Sequence, residues 1–186
     1  SGFRLEGSLS YNNEPISNEQ VSIRNVDGQH SDNVFTTEEG YFATDLPKGT
    51  YDLYTTHKVK NQTTLAYLNQ VDSETYTDIV NAEMKIGYTI EGTLFGDLNG
   101  DGEFDPEAGE KGYEQKIIDF DSGAGSIAVT TSFTGDYTIV LPGGEYSAWS
   151  QAYLDQAQNL AALKSIQVDR NKEDINLPAT SAHDVM

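Results

Sequence analysis

The chain has no cysteine in its 186 residues, which excludes disulfide staples, thiol nucleophiles and thiolate metal sites together. It is also poor in basic residues: 11 Lys and Arg stand against 30 Asp and Glu, a formal charge of −19. A field of that sign repels nucleic-acid phosphates and anionic lipid, so neither is an expected partner, whereas cations are. No apolar run reaches the ~18 residues of a spanning helix, so no membrane insertion is expected of this segment. Histidine is scarce too. His30, His57 and His183 are scattered, no serine sits in a nucleophile elbow, and general acid–base work needs a paired, partly buried carboxylate. The chain therefore reads as non-catalytic. An initiator Met is also missing, and the opening Ser1-Gly2-Phe3 suggests an excised piece of a longer precursor.

What is present is an internal repeat. "GYFATDLPKGTYDLY" at 40–54 answers "GDYTIVLPGGEYSAW" at 135–149. Gly40, Leu46, Pro47, Gly49 and Tyr51 match Gly135, Leu141, Pro142, Gly144 and Tyr146, every pair 95 apart, and the same offset carries Glu19-Gln20 onto Glu114-Gln115. The openings "LEGSL" (5–9) and "IEGTL" (90–94) are only 85 apart. The second copy has therefore gained residues between its first and second strands, in the acidic stretch "GDLNGDGEFDPEAGEKG", 96–112.

Short β-branched or alternating runs separated by Gly, Pro, Asn and Asp predict strands throughout. In the first copy they fall near 3–10, 20–26, 34–36, 41–44, 50–57, 65–71 and 76–84. In the second they fall near 88–95, 115–120, 127–132, 136–140, 145–153, 162–168 and 173–177. "LPKGTY" and "LPGGEY" are turn signals, with Pro setting the entry φ and Gly the tight position. Only "LDQAQNLAALK", 154–164, carries helical propensity. The expected fold is all-β, two tandem β-sandwich modules: residues 1–86, residues 87–178, and a tail of linker composition at 179–186.

The pieces "LEGSL", "TTEEGYF" and "LPKGTY", then "IEGTL", "TTSFTGDY" and "LPGGEY", resemble carboxypeptidase-regulatory-like and Cna B-type modules. That resemblance implies a prealbumin-like (Ig-like) sandwich. The second copy is similar to the calcium-binding B-repeats of bacterial surface adhesins, whose first loop has the form "DxNxDGxxDxxExG". Such modules serve as stalks, spacers or accessory domains of secreted and cell-surface proteins, so neighbouring domains of a longer chain are the implied partners.

The loop's own chemistry points to a hard cation. Asp97, Asn99, Asp101 and Asp105 occupy positions 1, 3, 5 and 9 of an EF-hand-like frame. Gly102 stands at position 6 for the sharp turn, and Glu103 at position 7 offers its backbone carbonyl. Irregular oxygen ligation suits Ca2+ better than Mg2+, which demands a stricter octahedron. Position 12 is Ala108, so the closing ligand falls to Glu110 or Glu107. Glu110 is preferred because "GEKG" matches the end of the adhesin motif. The corresponding first-copy loop, "SYNNEPIS", lacks the acids and should bind nothing.

Some Cna B-type modules join a first-strand Lys to a later Asn or Asp. Here the first strands carry Arg4 or no basic residue, and no cross-link is expected, because guanidinium stays protonated. A second functional reading is carbohydrate binding. If Tyr51 and Tyr146 face the core, strand alternation turns Tyr54 and Trp149 outward, where they become candidate ligand-binding aromatics. "NQT" at 61–63 is a glycosylation sequon. The expectation is thus a non-catalytic spacer or adhesive segment with one Ca2+ site, extracellular or on a cell surface, with a glycan or protein as further ligand.

Overall fold

The computed structural model describes residues 2–60, 63–154 and 158–181. The strands in chain order are β1 (Gly2–Tyr11), β2 (Glu14–Pro15), β3 (Gln20–Asn25), β4 (Ser31–Phe35), β5 (Tyr41–Pro47), β6 (Thr50–Lys58), β7 (Thr64–Asp72) and β8 (Val80–Glu83). They continue with β9 (Lys85–Gly96), β10 (Ile117–Ser122), β11 (Gly125–Thr130), β12 (Asp136–Pro142), β13 (Gly144–Leu154), β14 (Gln158–Val168) and β15 (Leu177–Ser181). The described residues contain no α-helix; a single 3-10 turn, Pro106–Ala108, lies in the acidic loop. Residues 158–164, within the stretch of helical propensity, lie in β14, whose register against β13 runs from Leu154↔Gln158 to Gly144↔Val168. Tertiary pairing overrides propensity there.

The chain divides into two compact units, one made of residues up to Tyr88 with 124–126 and 141–143, the other of the remainder from Thr89. In the first, β1 lies between antiparallel β5 and parallel β8, and a second sheet runs β4–β3–β6–β7. Leu5, Leu9, Phe42, Leu46 and Ala82 from one sheet and Val21, Ile23, Tyr51, Leu53 and Leu65 from the other form one buried core. This is the arrangement of a β-sandwich, with each strand turning alternate residues inward. Along β1 the buried residues are Leu5, Gly7 and Leu9. Gly7 is required: a Cβ there would sit 2.1 Å from the Phe42 ring.

The second unit repeats this pairing scheme. Parallel β9–β15 answers β1–β8, β12 pairs with β9 as β5 does with β1, and β11–β10–β13–β14 answers β4–β3–β6–β7. Ile90, Leu94, Phe95, Ile118, Phe120, Tyr137, Tyr146, Ala148, Ile166 and Leu177 are buried.

The repeat extends to single hydrogen bonds. Leu9 N–H donates to Gly40 O and Leu94 N–H to Gly135 O. Thr36 Oγ1 accepts the Glu19 amide while the Thr36 amide donates to Glu19 O, and Thr131 does the same with Lys116. Thr55 Oγ1 donates to Gln20 O and Ser150 Oγ to Ile117 O, each at 2.7 Å.

These bonds correct the offset of the second strand. Glu19 corresponds to Lys116 and Ser22 (opposite Tyr54) to Asp119 (opposite Trp149), an offset of 97. The insertion ahead of β10 is therefore 12 residues, the difference between 97 and 85. Glu114-Gln115 forms a turn with Gln115 at φ 54°, so the strand expected at 115–120 begins at Ile117. The last strand is also displaced, from the expected 173–177 to Leu177–Ser181. Asp174 stands at φ 56°, and the Asn176 side chain accepts the Thr93 amide, delaying strand entry. Residues 179–181, read as linker by composition, continue β15 because Ala179 is buried and pairs with Gly96; 182–186 lie outside the described residues. So do Asn61 and Gln62 of the sequon.

Candidate functional site

The insertion leaves β9 at Gly96, and its neck is closed by Gly96 N–H donating to Lys111 O and by a Phe95↔Gly112 bridge. Phe104 anchors the excursion through its ring, 5.1 Å from that of buried Phe95. Asp97 N–H donates to Ala179 O of β15.

The loop is organised by its own carboxylates. Asp97 accepts the amides of Gly100 at 2.7 Å and Gly102 at 3.0 Å, one on each oxygen. Both glycines hold positive φ, 78° and 77°, a conformation open to Gly at little cost. Asn99 Oδ1 accepts the Asp101 amide, and Asp101 Oδ1 that of Glu103. Asp105 caps the turn at Pro106–Ala108 by accepting from Glu107 and Ala108.

Glu110 differs from the other acids in being 3% exposed. Its two oxygens take the amides of Leu98 (3.0 Å) and Asp105 (2.8 Å), so one buried carboxylate ties the two halves of the loop together. Glu107, the alternative closing residue, is exposed. Thus Asp97, Asn99, Asp101, Glu103, Asp105 and Glu110 all lie in one excursion, and their donor set is hard oxygen throughout. Among the described residues no three His, Asp or Glu side chains converge on a single point.

The other singled-out residues fall elsewhere. Arg4, at the position a cross-linking lysine would need, forms an ion pair with Asp45 at 3.3 Å. His57 Nδ1 meets Glu19 Oε2 at 2.7 Å. His30 stacks edge-on against Tyr51 with ring centroids 6.5 Å apart, and His183 lies outside the described residues.

Tyr51 and Tyr146 are buried, and Trp149 is 40% exposed on the opposite face of β13. Trp149 Nε1 donates to Asp121 Oδ2 at 2.6 Å. Tyr54, its repeat equivalent, is half-buried in the first unit beside Ser22 and Leu68. Sequence reasoning missed Thr36 and Thr131, buried threonines whose only signal was the repeated "TT" and Thr-Ser ahead of the Gly turn.

No protein-family model and no curated protein sequence matches the chain. Among solved structures it is similar to the Bacillus anthracis TIE protein (17% identity, TM-score 0.36), covering 97% of this chain and 34% of that one. It therefore spans about a third of that protein's length. It is also similar to the shaft pilin SpaA of Lactobacillus rhamnosus GG (8% identity, TM-score 0.36, 98% of each chain). A third is a Ca2+-stabilized adhesin with which an Antarctic bacterium binds ice (8% identity, TM-score 0.31, 94% of this chain and 45% of that one). Likeness at these scores assigns no role.

Proposed function

We propose that this chain is a non-catalytic structural or adhesive segment of a secreted or cell-surface protein, whose second unit binds one Ca2+ in the acidic loop. The observation that carries the reading is Glu110: a buried carboxylate in the acidic loop ties its two halves together through the Leu98 and Asp105 amides. Asp97, Asn99 and Asp101 lie in the same excursion and already accept its amides.

Asp97, Asn99, Asp101, Asp105, the Glu103 carbonyl and Glu110 would hold the ion: the amide-bonded oxygens of Asp97, Asn99, Asp101 and Glu110 keep a lone pair, and Asp105, whose Oδ1 takes both the Glu107 and Ala108 amides, would offer Oδ2. The ion supplies positive charge among carboxylates that otherwise repel one another. Because the loop acids are bound to loop amides and, among the described residues, no three of them converge, ligation must first draw them together. Weak affinity follows, in the range of about 10⁻⁴ to 10⁻³ M that serves extracellular modules.

Limited proteolysis tests the structural role. Cleavage within 97–110 should be suppressed by millimolar calcium and restored by chelator. Equal cleavage in both conditions would mean that the loop is a solvated acidic turn.

A further inference from the structure

The sheet formed by β10, β13 and β14 has one face buried and the other turned to solvent. On the solvent face the register aligns Asp119, Trp149 and Leu163 in one row, Asp121, Ser147 and Ser165 in the next, and Glu145 with Gln167 in a third. The second and third rows, with Ser122 and Gly123 at the end of β10 and the intervening Tyr146 and Ile166, line a hollow of about 640 Å³, within the size range of small-ligand sites.

The indole is held in place by its N–H bond to Asp121, so its orientation is set before any ligand arrives and little entropy is lost on contact. The repeat makes the exposure specific to the second unit. Leu163 is 73% exposed, whereas its equivalent Leu68 is 6% exposed, and Asp52, the equivalent of exposed Ser147, is buried.

We propose that this face binds a neutral oligosaccharide, stacked on Trp149 and hydrogen-bonded in the hollow by Asp121, Ser147, Ser165, Glu145 and Gln167. A pyranose presents an apolar C–H face, which suits a fixed aromatic ring, and a rim of hydroxyls that both donate and accept. The carboxylates accept from vicinal hydroxyls, and the serines and Gln167 do both. From Trp149 to Glu145 the strand advances four residues, about 13 Å, the length of a short oligosaccharide.

Other ligands fit less well. Asp119, Asp121 and Glu145, within a chain of net charge −19, repel uronate, sulfated and phosphorylated ligands, nucleic acids included. An extended peptide binds by pairing with a free strand edge, but β13 is paired on both sides here. The site rests on no metal.

Trp149 is the sole tryptophan, so its emission reports the site directly. The chain would be titrated with maltohexaose, cellohexaose, xylohexaose, mannohexaose and chitohexaose, with hexagalacturonate as the anionic control, in chelator and in calcium alike. At least one neutral sugar should give a saturable emission shift and heat of binding, and the uronate none. Trp149→Ala should weaken that binding at least tenfold by calorimetry and Gln167→Ala severalfold, both with a cooperative melt and an unchanged far-UV circular dichroism spectrum. Absence of any response at about 5 mM sugar, a level at which even millimolar binders respond, would overturn the proposal. Undiminished binding by Trp149→Ala would do the same. Self-association of the wild type, abolished by Leu163→Lys without any sugar response, would assign the face to a second copy of the chain instead.

Discussion

Glu110 reaches back twelve residues to accept the Leu98 amide at 3.0 Å, and its second oxygen takes the Asp105 amide at 2.8 Å. A buried carboxylate with two amide donors is a structural tie in its own right. Glu110→Ala strands both amides and should destabilise the second unit by about 3 kcal/mol, while Glu110→Gln, which keeps one acceptor, should cost about half of that. Chemical denaturation of the two variants checks the order. Equal stability of all three proteins would mean that the bonds exchange freely with water.

The paired threonines are expected to matter in both units, Thr131 at least as much as Thr36. Thr131 Oγ1 accepts the Lys116 amide and donates to Tyr113 O at 2.6 Å, and Thr36 Oγ1 accepts the Glu19 amide at 2.9 Å. Replacement by near-isosteric Val leaves these backbone groups unpaired. Each variant should lose about 2 kcal/mol, measurable by denaturant midpoint at unchanged slope.

Two glycines of similar φ should respond differently to alanine. Gly102 has open space where a Cβ would project, whereas at Gly135 a Cβ would lie 2.6 Å from the Gly112 Cα and 2.7 Å from the Tyr113 nitrogen. Gly102→Ala should cost only the left-handed backbone penalty, about 1 kcal/mol, and Gly135→Ala considerably more. Melting curves of the pair separate conformational from steric cost.

Alkaline pH should loosen the second unit. Burial pushes the Tyr146 phenol up to about 12 against the opposing effect of its Ser122 hydrogen bond, and burial raises Tyr137 as well. A raised phenol pKa gives stability that is fully present below the unfolded value, about 10, and lost as pH rises through the folded one. The part of the tyrosinate absorbance that belongs to Tyr137 and Tyr146 should therefore rise late, together with unfolding. On the acid side, hydrogen bonds from Thr134 and Thr93 lower the Asp136 pKa, so its contribution should fade as pH falls through that depressed value and be absent from Asp136→Asn.

Much of this architecture was legible because a β-sandwich repeats its turns. Gly40 with Gly135 and Tyr51 with Tyr146 carry the 95-residue offset into the structure unchanged. The offset failed at Glu114-Gln115, where a matching dipeptide is a turn, and the buried pairs Val21 with Ile118 and Ile23 with Phe120 set the true register. Sheet register follows buried side chains rather than identities. The tail misled for the opposite reason: Pro, Thr and Ser have linker composition, yet Ala179 is buried and paired with Gly96. The burial of Glu110 and the contrast between Leu68 and Leu163 were illegible, because both depend on what tertiary packing covers.

The most direct measurement is a calorimetric calcium titration of chelator-stripped protein beside Asp101→Ala. The account predicts one saturable site per chain, with Kd at or below about 10⁻³ M, lost in the variant and accompanied by a higher melting temperature in calcium. No heat at about 10 mM calcium, a concentration at which even weak extracellular sites fill, together with an unchanged melting temperature, would contradict it.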